Sequence, residues 1–112
     1  MSSNVRKKEI FERIKHVIGG HDVVLYLKGS AAFPQCGFSA AMVQMLDSMN
    51  VRYMDIDVLS DSTLREGIKD YANWPMTPQL YIRGEFIGGC DIVREMYLSG
   101  ELETKMREMG VI

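Results

Sequence analysis

The sequence predicts an α/β fold in which a four-stranded mixed sheet is flanked by helices, and three observations support this prediction. Residues 23–27 form a short continuous apolar run, which is typical of a buried strand. Apolar residues then recur at helical spacing and precede a second strand-like segment, so we expect a βαβ unit with parallel strands. Two further strand-like segments flank Arg83-Gly84-Glu85, which predicts a hairpin that extends the sheet with antiparallel strands.

The first half of the chain supplies a helix and then the βαβ unit. A helix is predicted over residues 5–18 and is expected to end at Gly19-Gly20. Its apolar face consists of Ile10, Phe11, Ile14, Val17 and Ile18. A strand over 23–28 precedes a helix that begins near Gly37. The apolar positions of that helix are Phe38, Ala41, Met42, Met45, Leu46 and Met49. Residues 53–58 alternate apolar and acidic side chains, which favours a half-exposed edge strand.

The second half supplies the hairpin and three more helices. Ser60-Asp61-Ser62 provides cap-type residues for a helix that runs to about Tyr71. The hairpin strands are predicted over 79–83 and 86–88. A helix over 91–98 is interrupted at Ser99-Gly100, and a last helix covers 101–109. The chain is therefore expected to form one domain, residues 1–112, with a helix at each end.

Composition and charge argue against several classes of function. The chain has 112 residues, of which 46% are hydrophobic and 25% charged, and its net charge is −2. No cluster of Lys and Arg is interleaved with aromatic residues, so we expect no nucleic-acid partner. No apolar segment has the length of a signal-peptide core or a membrane span, and we expect no membrane partner. Two cysteines with no other sign of secretion indicate a reducing compartment, and we expect a cytoplasmic protein.

The most informative residue is Cys36, which lies at the turn from the first strand into the next helix. A thiol in this position is close to unpaired N–H groups and to the positive end of the helix dipole, and both favour the thiolate. Lys28, at the end of the preceding strand, adds a positive charge. A free cysteine is often only a small buried apolar residue. The helix start after Pro34 favours a functional thiol instead.

Ser39 occupies the position, three residues after Cys36, at which a dithiol redox motif carries its second cysteine. A dithiol oxidoreductase uses that second thiol to resolve a mixed disulfide. Ser39 cannot resolve one, so turnover through Cys36 would require an external thiol.

Four short motifs resemble those of a known family. They are Lys28-Gly29-Ser30, Pro34-x-Cys36-Gly37-Phe38-Ser39, Trp74-Pro75 with Thr77-Pro78-Gln79, and Gly84-Glu85-Phe86-Ile87-Gly88-Gly89-Cys90-Asp91. With these motifs in this order, the chain from about Ile10 to its C-terminus resembles the monothiol glutaredoxins of the CGFS type. The resemblance implies a thioredoxin-like fold with one extra helix at each end. The site is then expected at the carboxyl ends of the parallel strands.

The resemblance also implies that the chain binds glutathione. Lys28 is expected to pair with the glycyl carboxylate of the tripeptide. Arg65 and Lys69 are four residues apart on one helix face and are expected to reinforce that contact. The alternative for these two side chains is a solvated surface pair with Glu66 or Asp70, as on many helices.

Main-chain groups near Thr77 and Gly89 are expected to complete the glutathione site. The bond before Pro78 is usually trans when judged from the residues alone, but the resemblance implies a cis bond with the Thr77 N–H and C=O free to pair with glutathione. At Gly89, Cys90 and Asp91, N–H groups at a helix start can hold the γ-glutamyl carboxylate. Asp91 is expected to cap that helix and to contact the ligand amino group. Cys90 is either a half-buried small residue or a resolving or regulatory thiol.

The count of thiols suggests a use in iron–sulfur chemistry. A [2Fe–2S] cluster takes four ligands, usually thiolates, and one chain with a single exposed cysteine supplies one. The resemblance implies a homodimer bridged by a cluster, with Cys36 of each protomer and two glutathione thiols as ligands. It further implies delivery to apo iron–sulfur client proteins and a BolA-like heterodimer partner. The alternatives are an oxidoreductase that removes glutathione from protein mixed disulfides through Cys36, and an interaction module that does not use Cys36.

The loop before Cys36 departs from the family pattern at one residue. The family usually carries proline after Lys-Gly-Ser or Lys-Gly-Thr, and Ala31 stands there in this chain. We expect this alanine to loosen the loop over 29–35. The loop is also longer than in dithiol glutaredoxins, which in the family goes with poor reductase activity.

Overall fold

The computed structural model describes residues 3–112, and its elements follow the predicted order. The chain begins with α1 (Ser3–Gly20), β1 (Val23–Leu27), α2 (Gly37–Ser48) and β2 (Met54–Asp57). A short 3-10 helix (Val58–Ser60) leads into α3 (Ser62–Ala72), β3 (Gln79–Ile82), β4 (Glu85–Gly88), α4 (Cys90–Ser99) and α5 (Glu101–Glu108). The expectation that Gly19-Gly20 ends the first helix at residue 18 is wrong, because both glycines lie within it.

The four strands form one mixed sheet in the order β2-β1-β3-β4, as predicted. Strands β1 and β2 are parallel, and their register pairs Leu25 with Asp55 and Leu27 with Asp57. Strand β3 is antiparallel to both β1 and β4, so the hairpin extends the sheet on the other side. The predicted edge strand is confirmed, since β2 has only β1 as a neighbour.

Two hydrophobic clusters cover the two faces of the sheet. The side chains of Val23, Leu25 and Leu27 pack with residues of α2, α4 and α5, whereas Val24 and Tyr26 pack with residues of α1 and α3. Successive residues of a strand face opposite sides, which accounts for this division. All five residues of β1 are buried, so the strand lies at the centre of the molecule. The carboxyl end of β1 therefore provides a well-packed anchor for the segment that leads into α2.

Helix α2 differs from its predicted apolar face at two residues, Phe38 and Val43, of which Val43 is buried although it is not among the predicted positions. Met42, Met45 and Leu46 are buried as expected, but the side chain of Phe38 is 52% exposed. Phe38 shares the helical face of Met42 and Met45, but it lies in the first turn of α2, at the end of the helix, where that face is not covered. Within residues 3–112, the helices are all too short or too polar to span a bilayer.

Candidate functional site

Cys36 is the N-cap residue of α2, as the sequence predicts. Its backbone is extended, with φ −149° and ψ 157°, and its Sγ accepts the N–H of Ser39 at 3.4 Å. An N-cap side chain normally satisfies one of the unpaired N–H groups of the first helical turn, and here a sulfur atom takes that role. The sulfur is half-buried, so it remains accessible to a reactant.

Ser39 contacts the sulfur of Cys36 with its hydroxyl group as well. Its Oγ lies 3.3 Å from Cys36 Sγ and also accepts the backbone N–H of Lys28 at 3.1 Å. Ser39 is fully buried, and the bond from Lys28 fixes the orientation of its hydroxyl. A thiolate can only accept, so the hydroxyl donates to it once Cys36 is ionised. The sequence predicts for Ser39 only the lack of a second thiol, and this contact is not among the predictions. The signal for it is that a side chain three residues after an N-cap can reach back to the N-cap residue.

These contacts explain the ionisation of Cys36. Partial burial is the largest single influence and raises the pKa of the thiol. Hydrogen bonds from the Ser39 hydroxyl, from the Ser39 and Phe38 backbones, and the charge of Lys28 act together against burial. The net result is a pKa below the ordinary cysteine value, as expected for a reactive thiol.

The loop between β1 and α2 is closed on itself. Gly29 pairs with Pro34 across an isolated β-bridge, and the N–H of Gln35 donates to the Lys28 carbonyl at 2.8 Å. Gly29 has φ +90°, and a Cβ at this position would lie 2.5 Å from the Phe33 carbonyl oxygen, so only glycine fits the turn. This closed loop brings Lys28 and Cys36 to the same end of the sheet.

Two carboxylates on the edge strand β2 hold this loop, and sequence reasoning missed both. Asp57 accepts the N–H of Gly29 at 3.0 Å, and Asp55 accepts the N–H of Ala31 at 2.8 Å. The alternation of apolar and acidic residues over 53–58 predicts a half-exposed edge strand and does not reveal these two contacts. The expectation that Ala31 loosens the loop finds no support here, because Ala31 has an N–H to donate and uses it.

A cavity of about 170 Å³ lies beside the first turn of α2. It is lined by Phe38, Trp74, Met76, Thr77, Pro78, Gly89, Cys90, Asp91 and Ile92. The structure thus brings together four of the residues predicted to bind glutathione, Thr77, Gly89, Cys90 and Asp91. The peptide bond before Pro78 is cis, as the resemblance implies, and the trans form favoured by the residues alone is wrong.

Gly89, rather than Asp91, is the N-cap residue of α4, so the predicted capping role of Asp91 is wrong. The helix begins one residue earlier than predicted, at Cys90, which places Asp91 inside the first turn. Its carboxylate remains favourable there because it lies near the positive end of the helix dipole. A Cβ on Gly89 would lie 3.0 Å from Trp74 Nε1, so a larger residue would crowd the wall of the cavity.

The three predicted basic residues lie outside the lining of this cavity. Lys28 is half-buried at the end of β1, and its charge acts on Cys36. Lys69 Nζ lies 3.7 Å from a carboxylate oxygen of Glu66, which is the surface pair considered as the alternative for this side chain. Arg65 is half-buried on the same helix and forms no ion pair among the described residues. Of the three, only Lys28 has a visible effect on the thiol.

Cys90 is a free thiol in a different environment. It is buried, with 7% exposure, and Arg94 Nη2 lies 3.8 Å from its Sγ. Burial is the largest influence and raises the pKa of this thiol, the charges of Asp91 and Cys36 act in the same direction, and Arg94 opposes them. Cys90 therefore favours the neutral thiol, and it forms no disulfide with Cys36 in this structure.

Comparison with known proteins assigns the family. The glutaredoxin family model matches residues 23–87, which include the strand, the loop, Cys36 and the hairpin. The chain belongs to the glutaredoxin family. It is 49% identical over 100 residues to "Monothiol glutaredoxin-S7, chloroplastic" of Oryza sativa subsp. japonica, covering 89% of this chain and 60% of that protein.

Two further relatives support the monothiol assignment. The chain is 44% identical over 105 residues to "Probable monothiol glutaredoxin 2" of Rickettsia prowazekii, covering 94% of this chain and 98% of that protein. The solution structure of reduced poplar apo GrxS14 has 47% identity and a TM-score of 0.78, and the match covers 88% of this chain and 90% of that one. The monothiol glutaredoxin family and the thioredoxin-like fold are thereby confirmed. The chain spans 60% of the rice relative and nearly all of the Rickettsia one.

Proposed function

We propose that this monothiol glutaredoxin binds glutathione beside Cys36 and carries a [2Fe–2S] cluster between two protomers for delivery to apo-proteins. The observation that carries the proposal is an accessible thiol with a lowered pKa, Cys36, close to a cavity. Cys36 does not line the cavity itself, but Phe38 of the same helix turn does, and so does Cys90, whose ionisation the charge of Cys36 affects. The cluster is the cargo of the protein in this proposal, and glutathione is the ligand that completes its coordination.

The cavity has the chemistry that an extended anionic tripeptide needs. Thr77 lines the cavity, and in this proposal its main-chain groups pair with the extended peptide, which obtains affinity and direction from such bonds. Gly89 and Asp91 contribute the first turn of α4, where free N–H groups and the helix dipole favour a carboxylate. In this proposal Lys28, whose charge acts on Cys36 from outside the cavity lining, pairs with the second carboxylate. These features support a glutathione whose thiol points toward Cys36.

One chain offers too few thiol ligands for a [2Fe–2S] cluster, which argues for a cluster shared between two protomers. No group of three or more His, Cys, Asp or Glu side chains suited to a metal ion occurs within residues 3–112. Cys36 is the accessible thiol, whereas Cys90 is buried and favours its neutral form. Thiolates are the usual ligands of such clusters, so one Cys36 leaves most positions to be filled from outside. Two protomers and two glutathiones supply the four thiolates.

Delivery follows from the nature of these ligands. Half of the coordination comes from a diffusible tripeptide, so the cluster is held less permanently than one bound by four protein cysteines. We extend the proposal to apo iron–sulfur client proteins as recipients and to a BolA-like protein as an alternative partner in a heterodimer. Both partners rest on the family resemblance.

A second candidate function is removal of glutathione from protein mixed disulfides. The lowered pKa of Cys36 favours it, because the thiolate is the nucleophile in disulfide exchange and a lower pKa raises its fraction. In this reaction the Cys36 thiolate attacks the glutathione sulfur of the mixed disulfide, and the thiolate of the client protein leaves. The thiolate of a second glutathione then attacks the glutathione sulfur bound to Cys36, so that oxidised glutathione forms and the Cys36 thiolate is released. Ser39 takes no part as a resolving thiol.

Anaerobic reconstitution with ferrous iron, sulfide and glutathione tests the proposal, with visible absorption and native mass as readouts. Wild type, Cys36→Ser and Cys90→Ser are compared, each with and without glutathione. We expect a coloured dimer from wild type and Cys90→Ser only when glutathione is present, and a colourless monomer from Cys36→Ser. If no variant takes up a cluster while wild type reduces glutathione mixed disulfides, the oxidoreductase is the function.

A further inference from the structure

The strand-to-helix loop over residues 29–35 is held at both ends by its own backbone. The Gly29–Pro34 bridge and the bond from Gln35 N–H to the Lys28 carbonyl close its base. Near its tip, Ser30 N–H donates to the Phe33 carbonyl at 3.2 Å. These bonds give the loop an internal shape, but they do not attach it to the rest of the molecule.

Attachment comes from the edge strand β2. Asp55 and Asp57 are two residues apart, so their side chains share one face of the strand. The parallel register sets them opposite Leu25 and Leu27, beside the part of β1 that leads into the loop. From there each carboxylate accepts one backbone N–H of the loop. Side chains of a neighbouring strand therefore determine where the loop lies.

The two carboxylates differ in what else they do. Asp57 Oδ1 also accepts the N–H of Leu59 at 2.8 Å and caps the 3-10 helix, so its loss would disturb two elements at once. Asp55 accepts the Ala31 N–H at 2.8 Å and makes no other side-chain hydrogen bond or ion pair within residues 3–112. Asp55 is thus a carboxylate whose one visible contact is with the loop that precedes Cys36.

The contact depends on the type of residue at position 31. Every residue except proline carries a backbone N–H, and proline at this position would leave the Asp55 carboxylate without its partner. A hydrogen bond from a backbone N–H to a carboxylate is stronger than a neutral one. The bond therefore needs both residues, because Ala31 supplies the donor N–H and Asp55 supplies the acceptor carboxylate.

We propose that Asp55 is a positioning residue of the Cys36 site, which acts through the backbone N–H of Ala31 to fix the loop over 29–35. The loop joins Lys28 to Cys36, and fixing it holds the lysine charge and the thiol in one arrangement. The consequence for ligand affinity rests on the proposed binding of glutathione. The contact itself does not.

The test compares two ways of removing the bond. Asp55→Ala removes the acceptor, Asp55→Asn keeps an acceptor oxygen without the charge, and Ala31→Pro removes the donor. Ala31→Ser keeps the donor, and Asp70→Ala removes an exposed carboxylate that lies 3.9 Å from Lys7 Nζ, far along the chain from the loop. These last two are the matched controls. The double variant Asp55→Ala with Ala31→Pro completes the cycle.

Three readouts separate positioning from general stability. Amide hydrogen exchange reports the order of the loop, calorimetry reports glutathione affinity, and urea unfolding reports global stability. We expect Asp55→Ala to speed exchange of the loop amides and to weaken glutathione about five- to tenfold, the effect of roughly one lost hydrogen bond. Asp55→Asn is expected to recover part of both losses, and the two controls to match wild type.

The double variant decides whether Asp55 acts through Ala31. If it does, adding Asp55→Ala to Ala31→Pro changes affinity and exchange little further, because the bond is already gone. If the losses of glutathione affinity caused by the two single changes multiply in full in the double variant, the proposal is wrong. It is also wrong if the loop amides of Asp55→Ala exchange at the wild-type rate. A uniform fall in unfolding free energy with wild-type glutathione affinity would show a merely structural role.

The same experiment distinguishes this proposal from the proposed function. If wild type binds no glutathione, the proposed function fails, and the exchange data still decide whether Asp55 holds the loop. If wild type binds glutathione and Asp55→Ala binds it equally well, the function stands and the positioning role is wrong. Asp55→Asn keeps the test valid should Asp55→Ala or Ala31→Pro fold poorly.

Discussion

The two cysteines both lie at the start of a helix, and yet the pKa values of their thiols shift in opposite directions. Cys36 caps α2 and Cys90 is the first residue of α4, so both sulfur atoms lie near a helix N-terminus. The pKa of Cys36 is lowered and that of Cys90 is raised. A shared position at a helix start therefore does not decide the ionisation of a thiol.

The difference comes from the groups that face each sulfur. Cys36 Sγ accepts the Ser39 N–H and faces the Ser39 hydroxyl, and the Lys28 charge is nearby. Cys90 Sγ has one long contact, 3.8 Å from Arg94, within a buried environment. Hydrogen bonds to the charged form offset burial at Cys36, and at Cys90 burial dominates. A helix start activates a thiol when the cap geometry aims donors at the sulfur.

The largest expected effect is a difference in alkylation between the two thiols. At neutral pH, iodoacetamide is expected to modify Cys36 at least about tenfold faster than Cys90, because the thiolate is the reactive form. As pH rises, the rate at Cys36 levels off at a lower pH than the rate at Cys90, since a lowered pKa means ionisation at lower pH. Peptide mass spectrometry of Cys36→Ser and Cys90→Ser proteins measures each rate alone. Equal rates and equal pH profiles would remove the basis of the comparison.

Replacement of Ser39 by alanine is expected to make the ionisation and reactivity of Cys36 more like those of Cys90. Loss of a hydrogen bond to the charged sulfur raises the pKa of Cys36. Alkylation near neutral pH is then about tenfold slower, and the rate levels off at a higher pH. The Lys28 N–H also loses its acceptor, which lowers the unfolding free energy by about 1–3 kcal/mol. Thiolate absorbance against pH and urea unfolding measure the two effects. Ser48→Ala, on the same helix but remote from Cys36, serves as the control and is expected to leave the profile unchanged.

The smallest expected effect is that of the Lys28 charge. Lys28→Gln is expected to slow alkylation of Cys36 only about two- to threefold at low salt, because a half-exposed charge is screened by solvent. Added salt should reduce the rate of wild type toward that of the variant. Lys105→Gln removes a lysine that pairs with Glu85 instead and is expected to have no effect on the rate. A tenfold effect that persists in high salt would mean that Lys28 acts by direct contact.

Much of the fold followed from the sequence because its local signals agree with one another. The apolar run of β1, the cap residues before α3 and the turn at Arg83-Gly84 each identify their element without reference to the others. Cys36 at the start of α2 was predictable for the same reason. Errors fell at boundaries such as Gly19-Gly20, the last two, exposed residues of α1, because local signals place a helix end only to within one or two residues.

The rest of the site depends on contacts between distant segments, which periodicity does not reveal. Asp55 and Ala31 are 24 residues apart, and their bond follows from the register of β1 and β2. An acidic residue on an edge strand looks the same in sequence whether it faces water or a loop amide. The capping role expected of Asp91 is wrong because α4 begins one residue earlier than predicted, and this shift makes Gly89 the N-cap residue.

Both outer strands of the sheet discourage pairing with a further strand. The strand β2 carries alternating carboxylates, and β4 is short, starts at the exposed Glu85 and has a register shift against β3 at Leu80/Tyr81. Charges and irregularities at a sheet edge oppose edge-to-edge association between chains. Continuation of the sheet from one copy of this molecule into another is therefore disfavoured at both edges. A dimer of the kind proposed above would have to use a surface other than the sheet edges.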